Sequence, residues 1–202
     1  MVHYTGHIAD SGIDSLRAIL DAKPIRTVYA PAVTARFGDG AHEVHELVFW
    51  LGRHDFVVLT TQWVTTRRGF DYHIYEIQRS SRPGKIPYFP DGRPEGGSKL
   101  PHLGTTSSVE VHLGEVTKID VIEASCSTTY PSDADPETID YDYCLKFFGT
   151  EASMRLTTSF DSILGAIELR QGTELDPNDS IDDLRSRLTL ERTTTSARHR
   201  SA

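Results

Sequence analysis

Residues able to do chemistry fall in four places along the 202-residue chain. The densest is His42-Glu43-Val44-His45-Glu46, which mixes imidazoles with carboxylates. A metalloprotease helix needs its two histidines one helical turn apart, so that both face one metal. This spacing differs, and on a strand His42 and His45 would face opposite sides. A solvated strand entrance is therefore expected here, and no metal site.

Asp133, Asp135 and Glu137 alternate as the carboxylates of a calcium loop do. They lack the central glycine and the distal bidentate glutamate, and Pro136 stiffens the segment. An acidic, solvated loop that could meet a protein partner is the expectation. Cys126 and Cys144 are the only thiols and make neither a disulfide framework nor a zinc spacing. Cys144 sits in a strand pattern among aromatics, the setting of an inert buried thiol, whereas Cys126 is nearer a loop. The chain has no Gly-x-Ser-x-Gly elbow, P-loop or dinucleotide fingerprint. In Gly92-Arg93-Pro94-Glu95-Gly96-Gly97 prolines interrupt the glycines. No catalytic residue and no cofactor is expected.

The fourth place is residues 79–107, rich in Pro and Gly and without a period. Its prolines forbid a helix or an interior strand, and connections of this length are commonly functional loops. Arg79, Arg82, Lys85, Arg93 and Lys99 outnumber Asp91 and Glu95 there, with Tyr88 and Phe89 between them. Cation and aromatic together on a loop suit an interface hot spot or a single-stranded nucleic acid. Arg82, Lys85, Tyr88, Phe89 and Arg93, with Asp133, Asp135 and Glu137, are the expected partner-binding residues.

The elements that must position these groups are mostly strands. Ser11 and Asp14 have capping-box spacing, and Ile13, Leu16, Ile19 and Leu20 then form one face of a short helix that Pro24 ends. Ile25–Ala30 reads as a strand and residues 31–42 as a turn or loop. Glu46–Leu51 and Asp55–Gln62 form a hairpin around Gly52-Arg53-His54, with Gly52 expected to take a positive φ. Large apolar groups on both faces of this hairpin predict a central, two-side-covered position. Further strands are expected at Phe70–Ile77, Val109–Leu113, Val116–Glu123 and Ile163–Leu169. A second hairpin pairs Tyr141–Phe148 with Ala152–Thr158, its Tyr143, Leu145 and Phe147 pointing one way. A second capping box at Ser180–Asp183 predicts a helix to about Leu190, with Ile181, Leu184 and Leu188 inward.

Sliding residues 46–63 onto 143–160 without a gap superposes the two hairpins. Gly52 falls on Gly149, Leu59-Thr60-Thr61 on Leu156-Thr157-Thr158, and Trp50 on Phe147. Only four of the eighteen aligned residues are identical, so the resemblance is one of hairpin geometry. The expected fold class is α+β, a mainly antiparallel sheet of about eight strands from two related hairpin units, with short helices near both termini. The organisation is residues 1–78, a loop or linker at 79–107, a second unit at 108–192 and a disordered tail at 193–202.

A net charge of −8 makes nucleic acid an unlikely partner and favours a soluble protein that meets a basic one. The N-terminus has no secretory signal, and no stretch approaches the roughly 18 apolar residues of a membrane helix. The expected compartment is the cytoplasm, with both cysteines reduced. These features favour a non-catalytic protein-binding module, such as an inhibitor or immunity-type protein that neutralises a partner. The alternatives are a binder of a small molecule or nucleic acid in a cleft between the hairpin units, and an enzyme with a sequence-dispersed site.

Overall fold

Alternating apolar residues dictate strands over most of the chain, and strands are what form. The protein, seen as a computed structural model, is described over residues 2–31, 34–35, 41–84, 107–128, 136–158, 166–174 and 183–193. In chain order the elements are β1 (Val2–Gly6), α1 (Asp10–Leu20), β2 (Ile25–Ala30), β3 (Thr34–Ala35), β4 (His42–Val44), β5 (Glu46–Gly52), β6 (Asp55–Thr65), β7 (Asp71–Ser80), β8 (Ser107–Gly114), β9 (Val116–Thr128), β10 (Glu137–Gly149), β11 (Ser153–Thr158), β12 (Ile167–Gln171) and β13 (Leu184–Glu191). The smaller sheet has five strands in the order β7-β6-β5-β2-β8. The larger has eight, in the order β13-β9-β10-β11-β12-β4-β3, with β1 added alongside β10. Pairing is antiparallel except for β1 on β10, and strands outnumber the expected eight or so. Each sheet draws on both halves of the chain, since β2 pairs with β8, β1 with β10 and β4 with β12.

The two sheets and α1 enclose one main core. Leu47, Phe49, Val57 and Leu59 of the first hairpin meet Leu145, Phe147, Met154 and Leu156 of the second in this core. The rings of Phe49 and Phe147 stack at 5.4 Å between centroids. Leu16, Ile19 and Leu20 of α1 are buried in the same cluster, and Ile13 packs against it, as the helical spacing predicts. Each such side chain contributes about 1.5–3 kcal/mol on burial. Val48, Phe56 and Val58 form a separate buried cluster, so the first hairpin is covered on both faces.

The structure corrects several local expectations. The helix begins one residue before Ser11: Ala9 is the N-cap, its carbonyl accepts from Gly12 and Ile13, and no side chain caps it. The Ser11 carbonyl instead accepts a hydrogen bond from the Ser15 hydroxyl. In the first hairpin Gly52 stays within β5, and His54 takes the positive φ. The glycine that matters is Gly149, where a Cβ would collide with the Leu113 carbonyl as the β10–β11 turn packs on the β8–β9 turn.

The ungapped superposition of the hairpins is also off by one residue along the first strand. Leu47 pairs with Leu59 and Phe49 with Val57, while Leu145 pairs with Leu156 and Phe147 with Met154. Phe49, not Trp50, therefore holds the place of Phe147. A bulge at Tyr143 breaks the alternation within β10. Tyr143 accordingly joins Tyr141 and Cys144 in a second cluster, apart from Leu145 and Phe147.

The predicted C-terminal helix is the largest error. Leu184–Glu191 is a strand, paired along β9, whose outer edge it covers. Leu184 and Leu188 fit a helical spacing and a strand spacing equally well, and cross-strand partners decide the state. The first three residues of that predicted capping box, Ser180–Asp182, lie outside the described residues.

Candidate functional site

Of the sequence-predicted partner-binding residues, the structure describes two. Arg82 is exposed, just beyond β7, with its backbone N–H donating to the Ser80 hydroxyl. Glu137 is not on an exposed loop, as expected, but is the 2 % exposed first residue of β10, between β1 and β9. The Tyr4 hydroxyl donates to it at 3.2 Å. Lys85, Tyr88, Phe89, Arg93, Asp133 and Asp135 lie outside the described residues. Arg79, from the same basic run, is held by Asp55 in a two-bond fork at 2.7 and 2.8 Å, which raises its pKa further. Cys144 is buried in β10, and Cys126 is half-buried within β9, not in a loop.

A different constellation emerges once the strands are in register. Lys146 of β10 lies directly opposite Arg155 of β11, and Arg155 directly opposite Arg170 of β12. Their sequence neighbours Leu145, Phe147, Leu156 and Leu169 are in the main core, so the three cations share the opposite face of the larger sheet. Like charges directly opposite each other oppose folding. Arg170 is compensated by Glu168 at 2.5 Å. Arg155 is only 7 % exposed, and its Nε has no hydrogen-bond acceptor among the described residues.

Arg155 lines an open polar depression of about 720 Å³ with His42, Ser153, Arg170, Thr173 and Glu174. His42 is the first residue of β4 and pairs with Leu169 of β12. Its Nδ1 is likewise buried without a partner among the described residues. Because Leu169 is on the core face, the His42 ring leaves the sheet on the side away from the cations. The depression thus combines a buried guanidinium with two hydroxyl side chains. That arrangement can receive hydrogen-bond acceptors and negative charge.

A second polar cluster shows what full pairing looks like. Glu123 of β9 faces Asp142 of β10, and both are buried. Arg187 of β13 grips Asp142 through two bonds at 2.6 and 2.7 Å, and the Ile8 N–H donates to the same carboxylate at 2.6 Å. Glu123 is bonded by Arg185 and, at 2.6 Å, by His7 Nε2. Asp140 accepts from the Ser125 hydroxyl at 2.5 Å and lies 3.4 Å from His3 Nε2. This network ties both ends of the described chain to β9 and β10.

Among the described residues no group of three or more His, Cys, Asp or Glu side chains could hold a metal ion, and no helix is long and apolar enough to cross a membrane. Comparison with protein-family models, with curated proteins and with solved structures gave no match. Sequence reasoning singled out His42 for its neighbours and missed Arg155 altogether. The available signal was that Lys146, Arg155 and Arg170 each occupy an outward position between core residues of three successive strands.

Proposed function

We propose that this chain is a non-catalytic protein-binding module, of the inhibitor or immunity type, acting in the cytoplasm. Its cationic face across β10, β11 and β12 meets an acidic patch of the partner. The observation that carries this reading is the row Lys146–Arg155–Arg170. Asp120 of β9 lies opposite Lys146 at one end of the row, and Glu168 engages Arg170 at the other. Arg155 is thus the cation left between two like charges, in a chain whose net charge is −8. An acidic partner surface relieves that repulsion, and complementary charge speeds and orients the encounter. Arg82, Lys85, Tyr88, Phe89 and Arg93 supply a second basic and aromatic contact, with Asp133 and Asp135 as a separate acidic one.

Affinity capture with the full chain tests this. The wild type should recover one protein in stoichiometric amount, with a yield that falls as salt rises. Lys146→Glu, at a half-buried position, should reduce that recovery about tenfold while the variant stays folded by circular dichroism. Equal recovery by both proteins, or no stoichiometric partner, would remove the reading.

A further inference from the structure

We infer that the depression beside Arg155 is a binding site for an oxyanion, a carboxylate or a phosphoryl group, which supplies the counter-charge that Arg155 lacks among the described residues. The inference builds on the partner-binding reading of the cationic face, and it names the chemical group recognised there.

Three observations converge on the class of ligand. Arg155 is nine-tenths buried, and its Nε finds no acceptor among the described residues. Buried guanidinium groups are otherwise paired, because an uncompensated charge out of water is strongly unfavourable. Ser153 and Thr173, in the same depression, bring two hydroxyl donors. Arg170 adds positive potential at the rim although Glu168 engages its Nε.

The donors also suit the geometry of an oxyanion. A guanidinium offers N–H groups in a planar fork that matches two oxygens of one carboxylate or phosphate. The Ser153 and Thr173 hydroxyls can donate to oxygens that the fork leaves free. At about 720 Å³ the depression has room for the anionic group together with part of whatever carries it. Among the described residues Glu174 is the one carboxylate lining it, on an exposed residue. As a like charge at the rim it weakens the binding of an anion.

The test uses the full chain in a chloride buffer free of phosphate and carboxylates, titrated separately with inorganic phosphate and with acetate. The readouts are the His42 ring resonances and the melting temperature. Saturable movement of the His42 signals and a rise in melting temperature are expected with at least one anion. Arg155→Met keeps the apolar stem and should weaken binding about tenfold or more, the range of one charge-assisted bond. Glu174→Gln should tighten it. Saturation by phosphate at much lower concentration than acetate identifies a phosphoryl group, and the reverse order identifies a carboxylate such as an acidic side chain of a partner protein. No saturable change with either anion, or equal affinity in Arg155→Met, overturns the site. Anion binding that persists when partner capture fails would leave the site standing and remove only the partner. Capture without anion binding would do the opposite.

Discussion

Replacing Arg187 by Met should destabilise the protein through a group far from the mutated position in sequence. Asp142 is fully buried and accepts three bonds, two from Arg187 and one from the Ile8 N–H. Methionine preserves most of the side-chain volume but leaves a buried carboxylate with a single neutral donor. Breaking a buried ion pair by removing one partner costs about 3–5 kcal/mol. Arg187 is 24 % exposed and the Ile8 bond survives, so the lower end, about 3 kcal/mol, applies. For a chain of this size that is a fall in melting temperature of about 6–12 °C. Urea unfolding of Arg187→Met, Asp142→Asn and the double variant completes a mutant cycle. The double variant should be more stable than Arg187→Met, because the asparagine removes the charge left unpaired. A loss below about 1 kcal/mol, or a double variant no better than the single, would refute the reasoning.

Further outcomes follow from the same physics. Gly149→Ala should cost about 1–3 kcal/mol in chemical unfolding, since its methyl collides with the Leu113 carbonyl backbone and not with a side chain that can turn away. Asp71 is held below its ordinary pKa by bonds from the Thr65 hydroxyl, at 2.6 Å, and from Trp63. Its stabilising effect is therefore present above the unfolded aspartate value and is lost as pH falls through the lower folded one. In a Trp50→Phe background the emission of the exposed Trp63 should change with a midpoint below 3.8, and Asp71→Asn should abolish that step. Tyr75 is buried with its hydroxyl donating to the Leu156 and Tyr143 carbonyls, and desolvation raises it and Tyr141 well above the usual phenol range. That contribution is intact below about pH 10 and is lost as pH rises and the unfolded chain ionises. Absorbance at alkaline pH should show at least two of the eight tyrosines, Tyr75 and Tyr141, un-ionised until the protein unfolds.

The sequence made the local elements legible where one residue pattern had one solution. Ile25–Ala30 is a strand over the expected range, and the apolar spacing of α1 identifies its buried face. What it did not reveal was set by partners distant in the chain. β1 is a strand because β10 lies beside it, and β13 is a strand because β9, Glu123 and Asp142 bind it there. The Tyr143 bulge likewise depends on the register with β9 and reverses the side expected for that residue. Lys146, Arg155 and Arg170 are scattered in sequence, and only strand registration makes them a site. His42 was visible, but as part of a solvated strand entrance and not as a residue lining the same depression as an arginine on β11.

If Arg155 is kept for a ligand and not for the fold, the equilibrium unfolding of Arg155→Met shows it. In phosphate-free buffer the variant is expected to be at least as stable as the wild type, by up to about 1–4 kcal/mol, because a buried charge with no counter-charge among the described residues has been removed. A loss of about 3 kcal/mol or more would show that Arg155 has a structural counter-charge in the free protein and is not held open for an anion.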